Sequence, residues 1–265
     1  MKRFKAAVLP LLLGGGLILG GCGDYDEDTG PLQTETREVG EFDSIEMEGA
    51  ARLEISVGSP ESLSIEAREE VAQRVKTEVR GDTLYIRSKP KDWFISNGRP
   101  RVTLRITVPE LASLKLEGGN DVRIEGFNGG ESKIRAEGAV HIKARGRLDE
   151  LTVSLAGAGH ADLSDLIADE AKVTVDGVGS VYVHPKDSLD ATMNGVGAIL
   201  YTGSPREVNT HMNGLGTIGQ RKADDRNRDD DDESEDEDQV IDPETLQPEY
   251  EEPKKTARSD ATDVI

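Results

Sequence analysis

The sequence predicts an all-β solenoid, with strands coiled into rungs of about 19 residues and the rungs stacked along one axis. Three observations carry that expectation. Between Leu114 and Gly219 the chain repeats itself six times, reading LKLEGGNDVRI, SKIRAEGAVHIKA, LTVSLAGAGHADL, AKVTVDGVGSVYV, LDATMNGVGAILY and VNTHMNGLGTIG. The first glycine of each copy (Gly118, Gly138, Gly157, Gly177, Gly195 and Gly214) recurs at steps of 20, 19, 20, 18 and 19 residues. A period in that range belongs to units that bury their apolar side only by stacking on their neighbours. Finally, apolar and polar residues alternate on both sides of each glycine, which is the period of a strand with one face in and one out.

The columns of the repeat place the core. Four residues before the glycine stand Leu114, Ile134, Val153, Val173, Ala191 and Thr210; two before stand Leu116, Ala136, Leu155, Val175, Met193 and Met212. Four after stand Val122, Ile142, Ala161, Val181, Ile199 and Ile218. Each repeat therefore reads as strand, glycine turn, strand and short connection. The glycine suits a positive φ or a crowded corner, since it carries no Cβ. Six rungs about 4.8 Å apart would make a rod of roughly 29 Å. A flat array of hairpins fits the alternation too; the nearly equal repeat lengths favour the coil.

The rest of the chain falls into segments of different character. Residues 1–21 read as a targeting segment. Lys2, Arg3 and Lys5 precede an apolar run from Ala6 to Leu19, 14 residues long, too short for an ordinary membrane span. It ends Leu19-Gly20-Gly21-Cys22, which resembles the lipobox of bacterial lipoproteins. The resemblance implies cleavage before Cys22, lipidation of that residue and, because Gly23 rather than Asp follows, the outer membrane. Several acyl chains anchor firmly where one is marginal. Cys22 is the sole cysteine, so an intrachain disulfide is excluded. Residues 22–38 are acidic and polar with a Gly-Pro break, and read as a flexible tether.

Residues 39–219 form the predicted domain. Ile45, Met47, Gly49, Leu53 and Ile55 fall on the repeat columns as an isolated seventh copy. An insertion follows it. Glu66 to Arg74 suits a short helix. Val75 to Val79 and Thr83 to Ile86 alternate around Gly81-Asp82, a hairpin signal. Val102, Leu104 and Ile106 form another strand. A terminal unit that departs from the repeat is expected, because solenoid ends need caps. Residues 220–265 hold 18 acidic and 7 basic residues, a net charge of 7 − 18 = −11 out of −20 for the whole chain, the composition of a disordered, solvated tail. Without Lys2, Arg3 and Lys5 the net charge would be −20 − 3 = −23. Nucleic acid is then excluded as a partner, since phosphate contacts need a positive surface.

The lipobox, the opening EFDSIEMEGAARLEI, the hairpin VRGDTLYI and the serial N-G-V-G and D-G-V-G turns resemble the DUF2807 or head GIN domain family, described as an autotransporter adhesin. The resemblance covers about residues 40–219. It implies a right-handed parallel β-helix, similar in shape to pectin lyases but without their catalytic residues.

Several residues invite a sharper reading. Three positions after the glycine stand Asp121, His141, His160, Ser180, Ala198 and Thr217. Stacking would bring the first three onto adjacent rungs, where they could ligate zinc or simply line a solvated face; no fourth ligand is evident and no metal is expected. Just before the glycine stand Glu117, Glu137, Ala156, Asp176, Asn194 and Asn213. Paired carboxylates there could work as acid and base on a glycan. The alternative is a turn-entrance ladder in which Asn194 and Asn213 stabilise the stack. Arg80-Gly81-Asp82 matches an integrin-binding tripeptide, and a hairpin tip also accounts for it. Trp93 and Phe94, in a chain with few aromatics, either anchor a partner or cover an open end of the solenoid. There is no nucleophile elbow, phosphate loop or Cys-His cluster. The expectation is a non-enzymatic, lipid-anchored envelope protein without cofactor, binding a surface, a glycan or another envelope protein. Two alternatives remain: a polysaccharide-active enzyme of pectin-lyase shape, and an assembly or stress lipoprotein facing the periplasm.

Overall fold

The computed structural model describes residues 31–88 and 101–221. The six repeats stack in sequence order. They lie on strands β7 (Ser113–Asn128), β8 (Glu131–Leu155), β9 (Ala158–Val175), β10 (Val178–Met193), β11 (Val196–Tyr201), β12 (Glu207–Met212) and β13 (Leu215–Gln220). Neighbours pair in parallel. Gly118 faces Gly138, Val178 lies between Ala158 and Val196, and Val196 faces Leu215. The predicted inward columns meet accordingly: Leu114 faces Ile134, Val153 faces Val173, Val173 faces Ala191, and all are buried. Each such aliphatic side chain withdrawn from water contributes about 1.5–3 kcal/mol, so the stack is held by its interior columns.

The seventh copy is isolated in sequence but contiguous in space. Strand β2 (Ser44–Val57) lies directly against β7, with Ile45 facing Leu114, Met47 facing Leu116, Gly49 facing Gly118 and Ile55 facing Ile124. The insertion then closes that end. It contains β3 (Ser62–Arg68), α1 (Glu69–Ala72), β4 (Lys76–Arg80), β5 (Thr83–Arg87) and β6 (Val102–Val108). Strands β5 and β6 continue the parallel stack on the two halves of β2. Beyond them the direction reverses. Strand β4 runs antiparallel to β5, β3 antiparallel to β6, and β1 (Leu32–Arg37) antiparallel to β3.

Four expectations are corrected. The helix read over Glu66–Arg74 is a single turn, Glu69–Ala72, because Glu66 to Arg68 stay in β3, where Ala67 is buried and Glu66 pairs with Arg105. The segment read as tether contributes β1. Its Arg37 guanidinium donates to the carbonyls of Ala72 (3.0 Å) and Val75 (2.7 Å) and to Thr77 Oγ1 (2.9 Å), supplying partners at the end of α1 that the short helix cannot provide itself. The glycines are not uniform turns. The strands run on through Gly118 and Gly138 and break only at Gly157, Gly177, Gly195 and Gly214. The common requirement is closeness. A Cβ on Gly138 (φ 128°) would overlap the Gly118 carbonyl and lie 2.8 Å from its nitrogen; one on Gly197 (φ 148°) would overlap the Gly179 carbonyl. Lastly, the inward columns do not stay buried to the end: Thr210 and Met212 are exposed, since among the described residues no rung lies beyond theirs.

Candidate binding surface

Strand alternation decides what the glycine corner shows to solvent. In the later repeats two glycines flank one residue, and inward neighbours at even spacing force that residue outward. Val178 is 60% exposed, Val196 48% and Leu215 73%, and Ala158 is exposed below them. Gly177, Gly179, Gly195, Gly197, Gly214 and Gly216 carry no side chains to cover them. The aliphatic groups therefore form a ridge that runs along the stack and widens from Ala through Val to Leu. Beside it the turn-entrance residues are linked rung to rung. Asn194 Nδ2 donates to Asp176 Oδ1 (2.6 Å), and Asn213 Nδ2 donates to Asn194 Oδ1 (3.0 Å). This is the expected stabilising ladder.

On the other flank the column Arg52, Asp121, His141, His160, Ser180 is continuous across five rungs. Arg52 Nε donates to Asp121 Oδ2 (2.9 Å). A carboxylate only accepts, so His141 Nδ1 donates to Asp121 Oδ1 (3.3 Å). The His141 hydrogen bond, helped by the Arg52 guanidinium, holds the Asp121 carboxyl down at about 2 against burial, which works the other way. The His141 and His160 rings stack with centroids 5.7 Å apart at 20°. His160 Nδ1 lies 2.6 Å from Ser180 Oγ, and its ring meets Tyr182 edge-on at 4.9 Å.

This geometry bears on the chemistry. Asp121 binds one imidazole and Ser180 the other, so the acid does not orient the histidine beside the hydroxyl, and a Ser-His-Asp relay is not wired. The Nδ1 atoms of the two histidines turn to opposite neighbours along the stack. Among the described residues no three potential ligands gather as a metal site. The carboxylates proposed as acid and base are spoken for: Lys115 Nζ lies 2.7 Å from Glu117, and Arg135 Nε donates to Glu137 (2.9 Å). Arg80-Gly81-Asp82 sits at the β4–β5 hairpin tip with Gly81 at φ 59°. There Arg80 bonds Glu78 (2.6 Å), and the Asp82 carbonyl accepts from the Asp43 and Ser44 amides, both at 3.0 Å. A groove of about 440 Å³, lined by Val57, Glu110, Gly126, Phe127, Gly130 and Glu131 among others, has no histidine or basic residue in its wall.

From Gly138 to Gly214 each glycine of the column lies against the preceding one. Cys22, Trp93 and Phe94 lie outside the described residues, as do the targeting segment and all but the start of the acidic tail. The aliphatic ridge was not anticipated. Its signal was the residue between the glycines, which changes from Gly119, Ala139 and Ala158 to Val178, Val196 and Leu215 while keeping an outward parity.

Stacked parallel rungs with one corner repeated along the axis define a β-solenoid. Over residues 41–205 the chain matches the family described as "Putative auto-transporter adhesin, head GIN domain", DUF2807, and it belongs to that family. The fold recurs in a "putative adhesin" from Bacteroides fragilis, at 23% identity and TM-score 0.54 over 72% of this chain and 97% of that one. A "putative adhesin" and a "putative lipid binding protein" from Parabacteroides distasonis align at 18% and 23% identity, with TM-scores of 0.48 and 0.42. Both alignments cover 73% of this chain and 98% of the other. No curated protein matches the chain. An adhesin family points to the cell envelope or surface. Among the described residues no helix is long and apolar enough to cross a membrane.

Proposed function

We propose that this protein is a lipid-anchored, non-enzymatic β-solenoid of the bacterial envelope, held at the outer membrane through Cys22. Its stacked faces bind a surface, a glycan or another envelope protein. The observation that carries the reading is the ridge of Ala158, Val178, Val196 and Leu215 beside the Asp176–Asn194–Asn213 ladder. It presents an aliphatic group at four successive rungs and an Asp or Asn beside it at three of them, which suits an extended, repetitive partner better than a small substrate. Family membership and the paired state of Glu117 and Glu137 support binding over hydrolysis. The lipobox supports the anchor, and a tether of polar residues would hold the rod off the bilayer.

Two fractionations test it. The wild-type chain should sediment with membranes and Cys22→Ser should be released; an unchanged distribution removes the anchor. Protease should then be applied to intact and to permeabilised host cells, with a periplasmic protein as leakage control. Loss of the solenoid on intact cells supports surface binding. Protection until permeabilisation removes adhesion and leaves an envelope partner on the periplasmic side.

A further inference from the structure

We infer that the C-terminal end of the solenoid is a homodimer interface, closed by a second copy of this chain related by a two-fold axis. Strand β12 pairs only with β10 and β13 only with β11, so each keeps an open edge among the described residues. At this end no described residue covers the interior of the solenoid. Leu189, Ala191 and Met193 are buried at 0–1% exposure, while Val208 and Met212, one rung further on in the same columns, are 38% and 42% exposed. The adjoining Leu215 is the most exposed residue of the ridge. This last rung lies beyond residues 41–205, the part matched to the family.

Within β12 and β13 themselves the edge carries little charge. Natural sheets protect open edges with charge, proline or a bulge. Of the residues in β12 (EVNTHM) and β13 (LGTIGQ), Glu207 is the one carboxylate, and neither strand has a Lys or Arg. At the opposite end the outermost strands β1 (LQTETR) and β4 (KTEVR) carry Glu35, Arg37, Lys76, Glu78 and Arg80. A head-to-tail contact would press the apolar end on that charged one and propagate into a filament. A two-fold contact instead sets like edges side by side and antiparallel, the ordinary pairing for edge strands, and it closes. Paired in this way about Thr210, Val208 of one copy faces Met212 of the other, so the inward columns of the two last rungs meet.

By composition, the stretch that directly follows the last rung is a poor source of cover. From Lys222 to Gln239 its one apolar residue is Ala223, so nothing there can replace a rung. Those residues do set the conditions. Two segments of net −11 start beside the interface, and salt that shortens their repulsion should tighten the dimer, by about ten-fold between dilute and half-molar salt.

The test is sedimentation equilibrium of the chain from Gly23 to Ile265, from micromolar to millimolar, at both salt levels. A monomer–dimer equilibrium tightened by salt is expected. Thr210→Lys and Met212→Lys, at positions already exposed in one copy, should weaken it at least about ten-fold with an unchanged circular dichroism spectrum. Glu78→Gln at the other end should leave it alone. A chain monomeric throughout overturns the proposal, because the tail or nothing then covers the end. A dimer that survives both lysine variants overturns it, and so does open-ended growth.

Discussion

At its N-terminal end the solenoid is closed by strands that run against the stack, whereas at its C-terminal end the described residues finish on a rung of the same pattern with no strand laid over it. The first end buries the aliphatic side chains of β3, β5 and β6: Leu63, Ile65, Leu84, Ile86, Leu104 and Ile106 are exposed by no more than 1%, and Leu32 at the start of β1 is the exception at 63%. Its surface is laced with ion pairs, with Arg105 bridging Glu54 and Glu66 and Arg52 bound to Asp121. The last rung has the same column order and, among the described residues, none of that cover. Stacking is thus local: a rung is as stable as the neighbours on its two sides, and the sequence of a repeat does not say how many neighbours it will have.

Substitution can break this comparison, and the largest effect is expected at the glycine column. Gly177→Ala sets a methyl group into the Gly157 carbonyl in mid-stack, where close packing leaves no room to yield. It should cost roughly 3 kcal/mol or more. Gly214→Ala makes the same collision with Gly195, but the last rung can detach, so global stability should fall by about 1 kcal/mol or less. Urea denaturation measures both; equal losses would mean that the final rung is as firmly held as the centre.

The core columns come next. Leu53→Ala removes a side chain that is 0% exposed, and Met212→Ala one that is 42% exposed. Expected losses are about 2–5 kcal/mol for the first and under about 1 kcal/mol for the second in dilute protein. Hydrogen exchange sharpens the contrast: amides of β12 and β13 should open well before those of β2 and β7.

The smallest effect belongs to the polar column. The Asp121 carboxyl is held at about 2, below its ordinary 3.8, so its stabilising share is complete above that ordinary value and is lost as pH falls through about 2. Asp121→Asn lacks it. Because both side chains are 40% exposed, the difference in unfolding free energy should be below about 1 kcal/mol at neutral pH. It should shrink towards pH 2 (about the folded value). A gap that widens on acidification would contradict the His141–Asp121 hydrogen bond.

How much could be read from the chain follows from which interactions are local. The parity of a strand decides which side chain faces in, so Leu116 and Ile142 were assignable from their neighbours alone. The same parity put Val178 outward, although its exposure needed the absence of a side chain at Gly177 and Gly179 to be seen as a surface. The spacing of the copies put Asp121, His141 and His160 in one column. Whether the column was a relay or a ladder depended on which ring Asp121 meets, and spacing cannot say that. Glu66 shows the opposite case: its segment suits a helix, but an antiparallel partner far along the chain holds it in β3.

By itself, then, the sequence determined the rung: its length, its glycine corner, its inward columns and the order in which copies stack. These rest on alternation and on steric room at one atom, both properties of adjacent residues. Only the tertiary structure decided how the stack begins and ends. It brought β2 against β7 across the whole insertion, turned β1, β3 and β4 against the stack, and left Val208 and Met212 uncovered by any described residue. Those outcomes depend on which distant strand edge a segment meets, and a hydrogen-bonding edge is the same for every sequence that can form a strand.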